Sequence, residues 1–482
     1  TPIEKDGRDM EQWMQTIEQI NQIVNSFVWG PVMLGALLCI GLYFTVRTGF
    51  LQIRRFPLIL KETIFSLFRK KKPSQKHEEG ITPFQALSTA LASTIGVGNI
   101  VGVATAITMG GPGAVFWMWV SALLGMMTKY AEVVLAVHYR RKNREGKWIG
   151  GPMYYIRDGL KCPFLAGAFA LFGMFASFGI GNMTQANSIS NAMQQSFGIH
   201  PAITGVVIAV VTALVVIGGL DRIAKVTEKV VPFMAIFFIV GACVVIGVNI
   251  KNLPNAFSSI FQGAFGLDSV AGGITGSVLA SAMKMGVARG VFSNEAGLGS
   301  APIVHAAADT DHPARQGLWG AFEVFADTLA CCTLTALAIL STDLWKDPSI
   351  SGAALSSSVF ESVLGQWGGA FLSISIFLFA FASIVGWSYY GERCGQYLFG
   401  GRFQLVYKVA FVLMTAVGAT MELKLVWSIS DTLNGLMAIP NLIALIGLHG
   451  VVIQLTKEAF APGGILNPHR LPYHKRRNEK CK

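Results

Sequence analysis

Residues 82–109 read TPFQALSTALASTIGVGNIVGVATAITM, an apolar segment of membrane-spanning length whose middle, from Ser93 to Asn99, is rich in glycine and small polar residues. Residues 273–308 form a second such segment, and we predict its break between Gly286 and Gly299. In lipid, backbone N–H and C=O groups can leave the helical pattern only where protein or a wet cavity satisfies them. Two interrupted helices in corresponding halves of a chain indicate the midplane binding site of a secondary transporter.

The composition indicates an all-α polytopic membrane protein. Of the 482 residues 52% are hydrophobic and only 13% are charged, against about 25% charged in soluble chains. A spanning helix needs about 20 apolar residues, and the sequence predicts about eleven of them. The predicted spans are 27–46, 82–109, 114–139, 164–194, 202–218, 226–248, 273–308, 314–340, 370–390, 403–420 and 425–448.

Lysine and arginine predict the orientation. They concentrate in residues 47–76, 140–147 and 470–482, which fall on one side of the membrane if there are eleven spans. Because cytoplasmic loops carry this excess, we expect an external N-terminus and a cytoplasmic C-terminus in the plasma (inner) membrane. The net charge of +11 is then explained by contact with anionic lipid, and no nucleic-acid partner is expected.

The sequence also indicates an internal repeat. An amphipathic stretch at 55–68 precedes the first interrupted segment, and a similar one at 252–265 precedes the second. Five crossings separate the two units, which would invert the second relative to the first, as in many transporters; two unrelated interfacial helices are the alternative. The predicted divisions are an extracellular segment (1–26), an extra span (27–46), a basic cytoplasmic amphipathic linker (47–81), a five-helix repeat (82–250), an extracellular amphipathic linker (251–272), a second five-helix repeat (273–449) and a basic cytoplasmic tail (450–482).

The breaks are suited to a zwitterion. The N–H groups that begin a half-helix attract a carboxylate, and the C=O groups that end one attract an ammonium group or sodium. Gly96 and Gly98 permit close backbone approach, and Ser93, Thr94 and Asn99 add polar groups. The alternative is that the glycines only let helices pack, since Gly98 and Gly102 have the spacing of such motifs.

Three motifs resemble those of one family. Residues 110–125 (GGPGAVFWMWVSALLG) resemble the signature of the sodium:alanine symporters, also called the alanine or glycine:cation symporter family. Residues 93–102 (STIGVGNIVG) and 290–302 (GVFSNEAGLGSAP) resemble its other strong blocks, and the resemblance extends from about 27 to 460. It implies a LeuT-like fold of ten core helices in two inverted fives, preceded here by one extra helix.

The resemblance also implies sodium-driven uptake of a small neutral amino acid, with alanine or glycine expected first. On that pattern Gly96 and Gly98 offer N–H groups to the substrate carboxylate, beside Asn99. Carbonyl groups near three residues of the second segment receive the ammonium group: Gly290, Val291 and Phe292.

The same pattern implies a sodium site between the first and eighth core helices. Its ligands are the carbonyl groups of Ala92, Ile95 and Ala380 and the hydroxyl of Ser383. This set of neutral oxygen ligands suits a monovalent ion better than a divalent one. No cofactor is expected besides the coupling ion, and carboxylates elsewhere in the spans leave proton coupling open.

Further polar and aromatic residues lie in the predicted spans. Asn182 and Gln185 are one turn apart and either face the substrate or only bond neighbouring helices. Trp387 is expected to wall the substrate side chain, with packing as the alternative. Lys129 and Glu132 are expected to pair locally. Six charged residues are open to a functional role or a structural ion pair: Lys284, Arg289, Glu295, Glu323, Asp327 and Asp431.

Other function classes fit poorly. The sequence has no GxSxG elbow and no P-loop, so neither a hydrolase nor an ATP-driven pump is indicated. A channel would need rings of filter residues or a wide polar lumen. An uncoupled carrier stays open, and the sequence predicts no particular oligomeric state.

Overall fold

The computed structural model describes residues 2–68, 80–266, 275–421 and 424–467, most of which are helical. The predicted basic clusters at 69–76 and 470–482 lie outside the described residues, as do residues 273 and 274 at the start of the second interrupted segment. The α-helices are α1 (Pro2–Val28), α2 (Pro31–Arg47), α3 (Leu51–Arg54), α4 (Phe56–Glu62), α5 (Pro83–Thr94), α6 (Val101–Gly110), α7 (Gly113–His138), α8 (Pro152–Asp158), α9 (Pro163–Phe178), α10 (Thr184–Phe197), α11 (Pro201–Val216), α12 (Gly219–Val248), α13 (Leu253–Phe265), α14 (Thr275–Asn294), α15 (Pro302–His305), α16 (Pro313–Val324), α17 (Thr333–Leu340), α18 (Gly352–Leu364), α19 (Trp367–Phe399), α20 (Phe403–Thr420), α21 (Lys424–Leu436), α22 (Ala438–Gly447) and α23 (His449–Phe460).

Two short strands and two π-helical turns lie between these helices. Two strands, β1 (Arg141–Lys142) and β2 (Trp148–Ile149), form an antiparallel ribbon between α7 and α8. A π-helical turn, Gly179–Met183, joins α9 to α10 in one long helix. A second, Phe325–Cys332, joins α16 to α17. Because π-helical turns occur frequently at functional sites, both long helices are candidates for lining one.

Eight helical segments of the described residues are long and apolar enough to cross a membrane. They are Gln15–Arg47, Gly113–His138, Pro163–Phe197, Gly219–Val248, Pro313–Leu340, Trp367–Phe399, Phe403–Thr420 and Trp427–Gly447. The predicted count of eleven spans stays a prediction, because the helices at three of the predicted spans, 82–109, 202–218 and 273–308, are not among these eight. Helices α5, α6, α11 and α15 are each shorter than the about 20 residues that a span needs.

The outer surface is apolar. Large side chains on α11, α12 and α20 point outward, with Val210 54% exposed, Phe233 60% exposed and Leu405 68% exposed. A water-soluble protein rarely leaves apolar surface of this extent uncovered. These helices therefore face lipid, as expected for a multi-pass membrane protein.

The first interrupted helix consists of α5 and α6, which are separated by residues 95–100. Thr82 caps α5: its Oγ1 accepts the N–H of Gln85, whose side chain in turn accepts the N–H of Thr82. This reciprocal pair starts the helix sharply. The prediction of a broken helix here is confirmed, and the unwound part begins two residues later than Ser93.

The second interrupted helix breaks later than predicted. Helix α14 continues through Gly286 and Gly290 to Asn294, and the unwound stretch covers residues 295–301 before α15. The two glycines serve close packing instead. A β-carbon at position 286 would lie 2.3 Å from the carbonyl oxygen of Ala114, and one at position 290 would lie 2.3 Å from Ser121 Oγ. Small residues at such contacts let membrane helices approach each other.

The start of the first interrupted helix lies beside the end of the second. The N–H of Ile81, just before α5, donates to the carbonyl of Ala307, just after α15, at 3.2 Å. The N–H of Asp309 donates back to the carbonyl of Ile81 at 2.8 Å. Arg140 adds a bond to the carbonyl of Ala308 at 2.6 Å. The two broken helices are therefore fixed to each other at this end.

Candidate functional site between two helix breaks

The first break leaves two carbonyl groups without their helical partners. In a continuous helix the N–H of Gly96 would bond the carbonyl of Ala92, but here it donates to Asn99 Oδ1 at 2.9 Å. The N–H of Asn99 would bond the carbonyl of Ile95, but it donates to Gly96 at 3.2 Å. Ala92 and Ile95 therefore present carbonyl oxygens of the kind that bind a hard cation.

The same geometry corrects one expectation. The Gly96 N–H was expected to be offered to a substrate carboxylate, yet in this conformation Asn99 accepts it. Asn99 is fully buried, and its amide nitrogen is used as well, because it donates to Asp327 Oδ1 at 2.7 Å. Asn99 thus braces the break from inside instead of facing a ligand.

Asp327 connects the two broken helices. It lies on the π-helical turn that joins α16 to α17 and is fully buried. Besides Asn99 from the first break, it bonds Ser293, near the end of α14, whose Oγ donates to Asp327 Oδ2 at 2.8 Å. Thr328 Oγ1 donates to the same oxygen at 2.7 Å. One carboxyl group therefore fixes both breaks at one depth in the bundle.

Gly96 faces two other predicted residues. A β-carbon at position 96 would lie 2.6 Å from Ser383 Oγ and 3.6 Å from Gln185 Oε1. Ser383 Oγ also donates to the carbonyl of Ser93 at 3.5 Å. Gln185 donates from Nε2 to the carbonyl of Ile180 at 3.1 Å, while its Oε1 is buried and has no hydrogen-bond partner among the described residues. A buried acceptor of this kind requires an explanation, and a ligand with N–H groups would provide it.

Gly98 in the first break lies against Phe292, in the last turn of α14. A β-carbon at position 98 would lie 3.5 Å from the ring of Phe292, so the glycine leaves a narrow space beside this ring. Gly290 and Val291 do not offer free carbonyl groups in the expected way. Both are helical, and the carbonyl of Val291 accepts the N–H of Glu295 at 2.8 Å.

Asn182 and Gln185 were predicted as neighbouring site residues, but in the structure they have different partners. Gln185 reaches the first break, whereas Asn182 donates to the carbonyl of Phe411 on α20 at 2.7 Å. Trp387 is 2% exposed and packs on Gly181, where a β-carbon would lie 2.4 Å from it. Asn182 therefore ties two helices together, and Trp387 packs against the π-helical turn. Ala380, the remaining sodium-site prediction, is fully buried one turn before Ser383 on α19.

The second break is satisfied by side chains from other helices. The N–H of Gly297 donates to Glu132 Oε1 at 3.0 Å, and its carbonyl accepts from Asn441 Nδ2 at 2.9 Å. Asn441 also donates to Glu132 Oε1 at 2.5 Å. Unwound backbone is stable at this depth only with such partners. Glu132 on α7 and Asn441 on α22 therefore stabilise the unwound stretch.

Lys129 and Glu132 do not form the local pair that was expected. Lys129 Nζ lies 3.4 Å from Glu323 Oε1, and both side chains are fully buried. His305 Nε2 lies 3.0 Å from the other oxygen of Glu323. This group ties α7 and α15 to α16, so His305 and Glu323 have a structural environment that the sequence did not indicate.

Sequence reasoning therefore missed the residues that join the breaks. The sequence marks Asp327 only as a charge within a predicted span, and it gives no signal for Asn441. The one available signal is energetic: a carboxyl group within a membrane span is unfavourable, so a residue that carries one is a candidate functional residue. The pairing itself was invisible, because Asn99 and Asp327 are 228 residues apart in the chain.

Comparison with known proteins agrees with this architecture. The family model of the sodium:alanine symporter family matches residues 14–461. The sodium/alanine symporter AgcS of Methanococcus maripaludis is 49% identical over 90% of this chain and 95% of its own length. The probable sodium/glutamine symporter GlnT of Bacillus subtilis is 40% identical over 92% of this chain and 91% of its own.

Solved structures support the fold. The crystal structure of MhsT in complex with L-phenylalanine matches with a TM-score of 0.52 and 13% identity, over 79% of this chain and 99% of that one. This likeness shows a LeuT-like fold, as the sequence predicted. The chain belongs to the sodium:alanine symporter family, whose members are transporters and not enzymes.

Proposed function

We propose that this protein imports a small neutral amino acid, alanine or glycine first, together with sodium by alternating access. The observation that carries the proposal is the meeting of two unwound helices through Asp327, beside the glycines at 96 and 98. Unwound helices at the midplane are the binding element of many secondary transporters. The sodium/alanine function in the name of the 49% identical relative supports the same substrate.

The substrate lies, in this proposal, between Gly98, Gln185 and Phe292. The N-terminal end of α6, which begins at Val101 just after Gly98, suits the carboxylate, because the N-terminal end of a helix carries positive partial charge. The free Gln185 Oε1 suits the ammonium group. The ring of Phe292 limits the substrate to one with a small side chain. Trp387 lies behind the long helix formed by α9 and α10.

Sodium binds, in this proposal, between α5 and α19. The carbonyl groups of Ala92 and Ile95 have lost their helical donors. Ser383 brings a hydroxyl to the same segment, and Ala380 adds a carbonyl one turn away. These are hard, neutral oxygens, and their type fits a monovalent alkali ion.

Ser383→Ala is expected to raise the sodium concentration for half-maximal uptake by about tenfold, the effect of losing roughly 1.4 kcal/mol of binding. The measurement is initial uptake rate against sodium concentration. Ser388→Ala is the matched control, because Ser388 is buried on the same helix and, among the described residues, its hydroxyl donates to the carbonyl of Val385 at 2.6 Å. If Ser383→Ala leaves sodium dependence at the control value, the ion binds elsewhere.

The proposed topology follows the charge pattern. The N-terminal segment is extracellular, and the linker after α2, the β-ribbon and the C-terminal tail are cytoplasmic in the plasma membrane. The first repeat covers residues 82–250 and the second covers 273–449, with α13 in the extracellular linker between them. Selective labelling of single cysteines in intact cells tests this topology.

Uptake of radiolabelled alanine into proteoliposomes tests the function. With an inward sodium gradient we expect accumulation above the external concentration, and with potassium in place of sodium we expect none. Accumulation driven by a pH gradient without sodium would show that the coupling ion is a proton and not sodium. Equilibration without accumulation would indicate an uncoupled carrier or a channel. If alanine fails, competition by glycine, serine and glutamine identifies the substrate.

A further inference from the structure

Phe292 also lines a cavity that the function proposed above does not use. The cavity measures about 290 Å³ and lies between the N-terminal helix α1, helix α14 and helix α21. This is near the lower end of the ~300–1,000 Å³ range of ligand pockets. Phe292 lines this cavity and also faces Gly98. The cavity and the proposed substrate site therefore share Phe292 as a lining residue.

The walls of the cavity carry opposite charges. Asp431 lies on the α21 wall, while Arg289 and Lys284 lie on the α14 wall. The guanidinium group of Arg289 is 5.6 Å from the centre of the Phe292 ring. The opposed charges match the two charged ends of a zwitterion: a carboxylate binds an ammonium group, and guanidinium binds carboxylate with two parallel hydrogen bonds.

The N-terminal helix holds the acidic wall in position. Asn25 Nδ2 donates to Asp431 Oδ2 at 3.1 Å, and Trp29 Nε1 donates to the carbonyl of Asp431 at 3.1 Å. Asn21 Nδ2 donates to Ser428 Oγ, one turn before, at 2.6 Å. These bonds join residues more than 400 positions apart, so α1 is an integral wall of the cavity and not a loose terminus.

We propose that this cavity is a second binding site, which takes the zwitterionic amino acid before it passes Phe292 into the site between the breaks. Asp431 receives the ammonium group and Arg289 receives the carboxylate, while the N-terminal helix supplies the wall that orients Asp431. This inference rests on the proposed function, because its ligand is the transported amino acid.

Cysteine protection distinguishes the two sites. Ser26 lines the cavity, is exposed and bonds only the carbonyl of Ile23 of its own helix, so Ser26→Cys adds a small reporter. We expect alanine to slow its modification by a charged, membrane-impermeant thiol reagent. The protection should persist when Gly98→Leu blocks the inner site, and it should disappear when Asp431→Asn is added. The unsubstituted chain, labelled in parallel, gives the background from native cysteines.

Loss of protection in the Gly98→Leu background would overturn the second site, because protection would then come from the inner site alone. Gel filtration shows whether that variant is folded. If it is not, transport by Asp431→Asn in the otherwise unchanged chain decides. We expect its KM for alanine to rise by about tenfold, the effect of one lost charge-assisted contact, with the maximal rate kept.

A second carboxylate variant is the control for Asp431→Asn. Asp343→Asn removes a carboxylate from an exposed loop, where it pairs only with Lys346 at 2.6 Å, and KM should stay unchanged. An unchanged KM in Asp431→Asn would refute the second site and leave the proposed function standing. If the unsubstituted chain itself shows no ion-driven uptake, the proposed function fails first.

Discussion

Gly98→Leu is expected to reduce sodium-driven uptake to background while the protein still inserts and elutes as a folded species. A β-carbon at this position already reaches van der Waals contact with the Phe292 ring at 3.5 Å. The remaining carbons of leucine would occupy the space between the ring and the break, where the proposed substrate binds. The measurement is radiolabelled alanine uptake into proteoliposomes with an inward sodium gradient.

Gly102→Leu is the matched control for this experiment. Gly102 lies one turn further along, on α6, and a β-carbon there would meet nothing within 4 Å. We expect this variant to keep most of its uptake. If both variants lose uptake equally, the glycines at 98 and 102 serve helix packing, as the motif spacing alone would suggest. Normal uptake by Gly98→Leu would exclude Gly98 from the site.

Asp327→Leu is expected to lower uptake by about 100-fold or more. It removes the acceptor for Asn99 Nδ2, Ser293 Oγ and Thr328 Oγ1 in a fully buried place. Each orphaned buried group costs roughly 1–3 kcal/mol, and about 1.4 kcal/mol corresponds to a tenfold change. Without this carboxyl group the two breaks lose their direct link. Initial uptake rate and the melting temperature of the purified protein are the measurements.

Asp327→Asn separates a positioning role from general destabilisation. The amide keeps an oxygen that can accept from Asn99 and has the same shape, so we expect a higher melting temperature and higher uptake than in Asp327→Leu. Rescue of both quantities supports a brace between the breaks. If Asp327→Leu is folded and transports at the normal rate, the link is not required for transport.

The sequence determined features that depend on local composition. Membrane insertion follows from long apolar segments, because a helix of about 20 such residues satisfies its own backbone in lipid. The first break was predictable because glycines and small polar residues are concentrated at 93–99. Three motifs spread over the chain predicted the family, and with it the LeuT-like fold, which the comparisons confirm.

The tertiary structure decided which groups meet. Gly286 and Gly290 look like breaking residues in the sequence, but contact with α7 makes them packing residues inside a continuous helix. Lys129 pairs with Glu323 instead of its neighbour Glu132. The Gly96 N–H donates to Asn99 Oδ1 within the break. The side-chain Nδ2 of Asn99 donates to Asp327, because these two residues, far apart in the chain, become neighbours only when the bundle closes. A local pattern shows that a backbone group leaves its helix; the packed bundle alone determines which partner satisfies it.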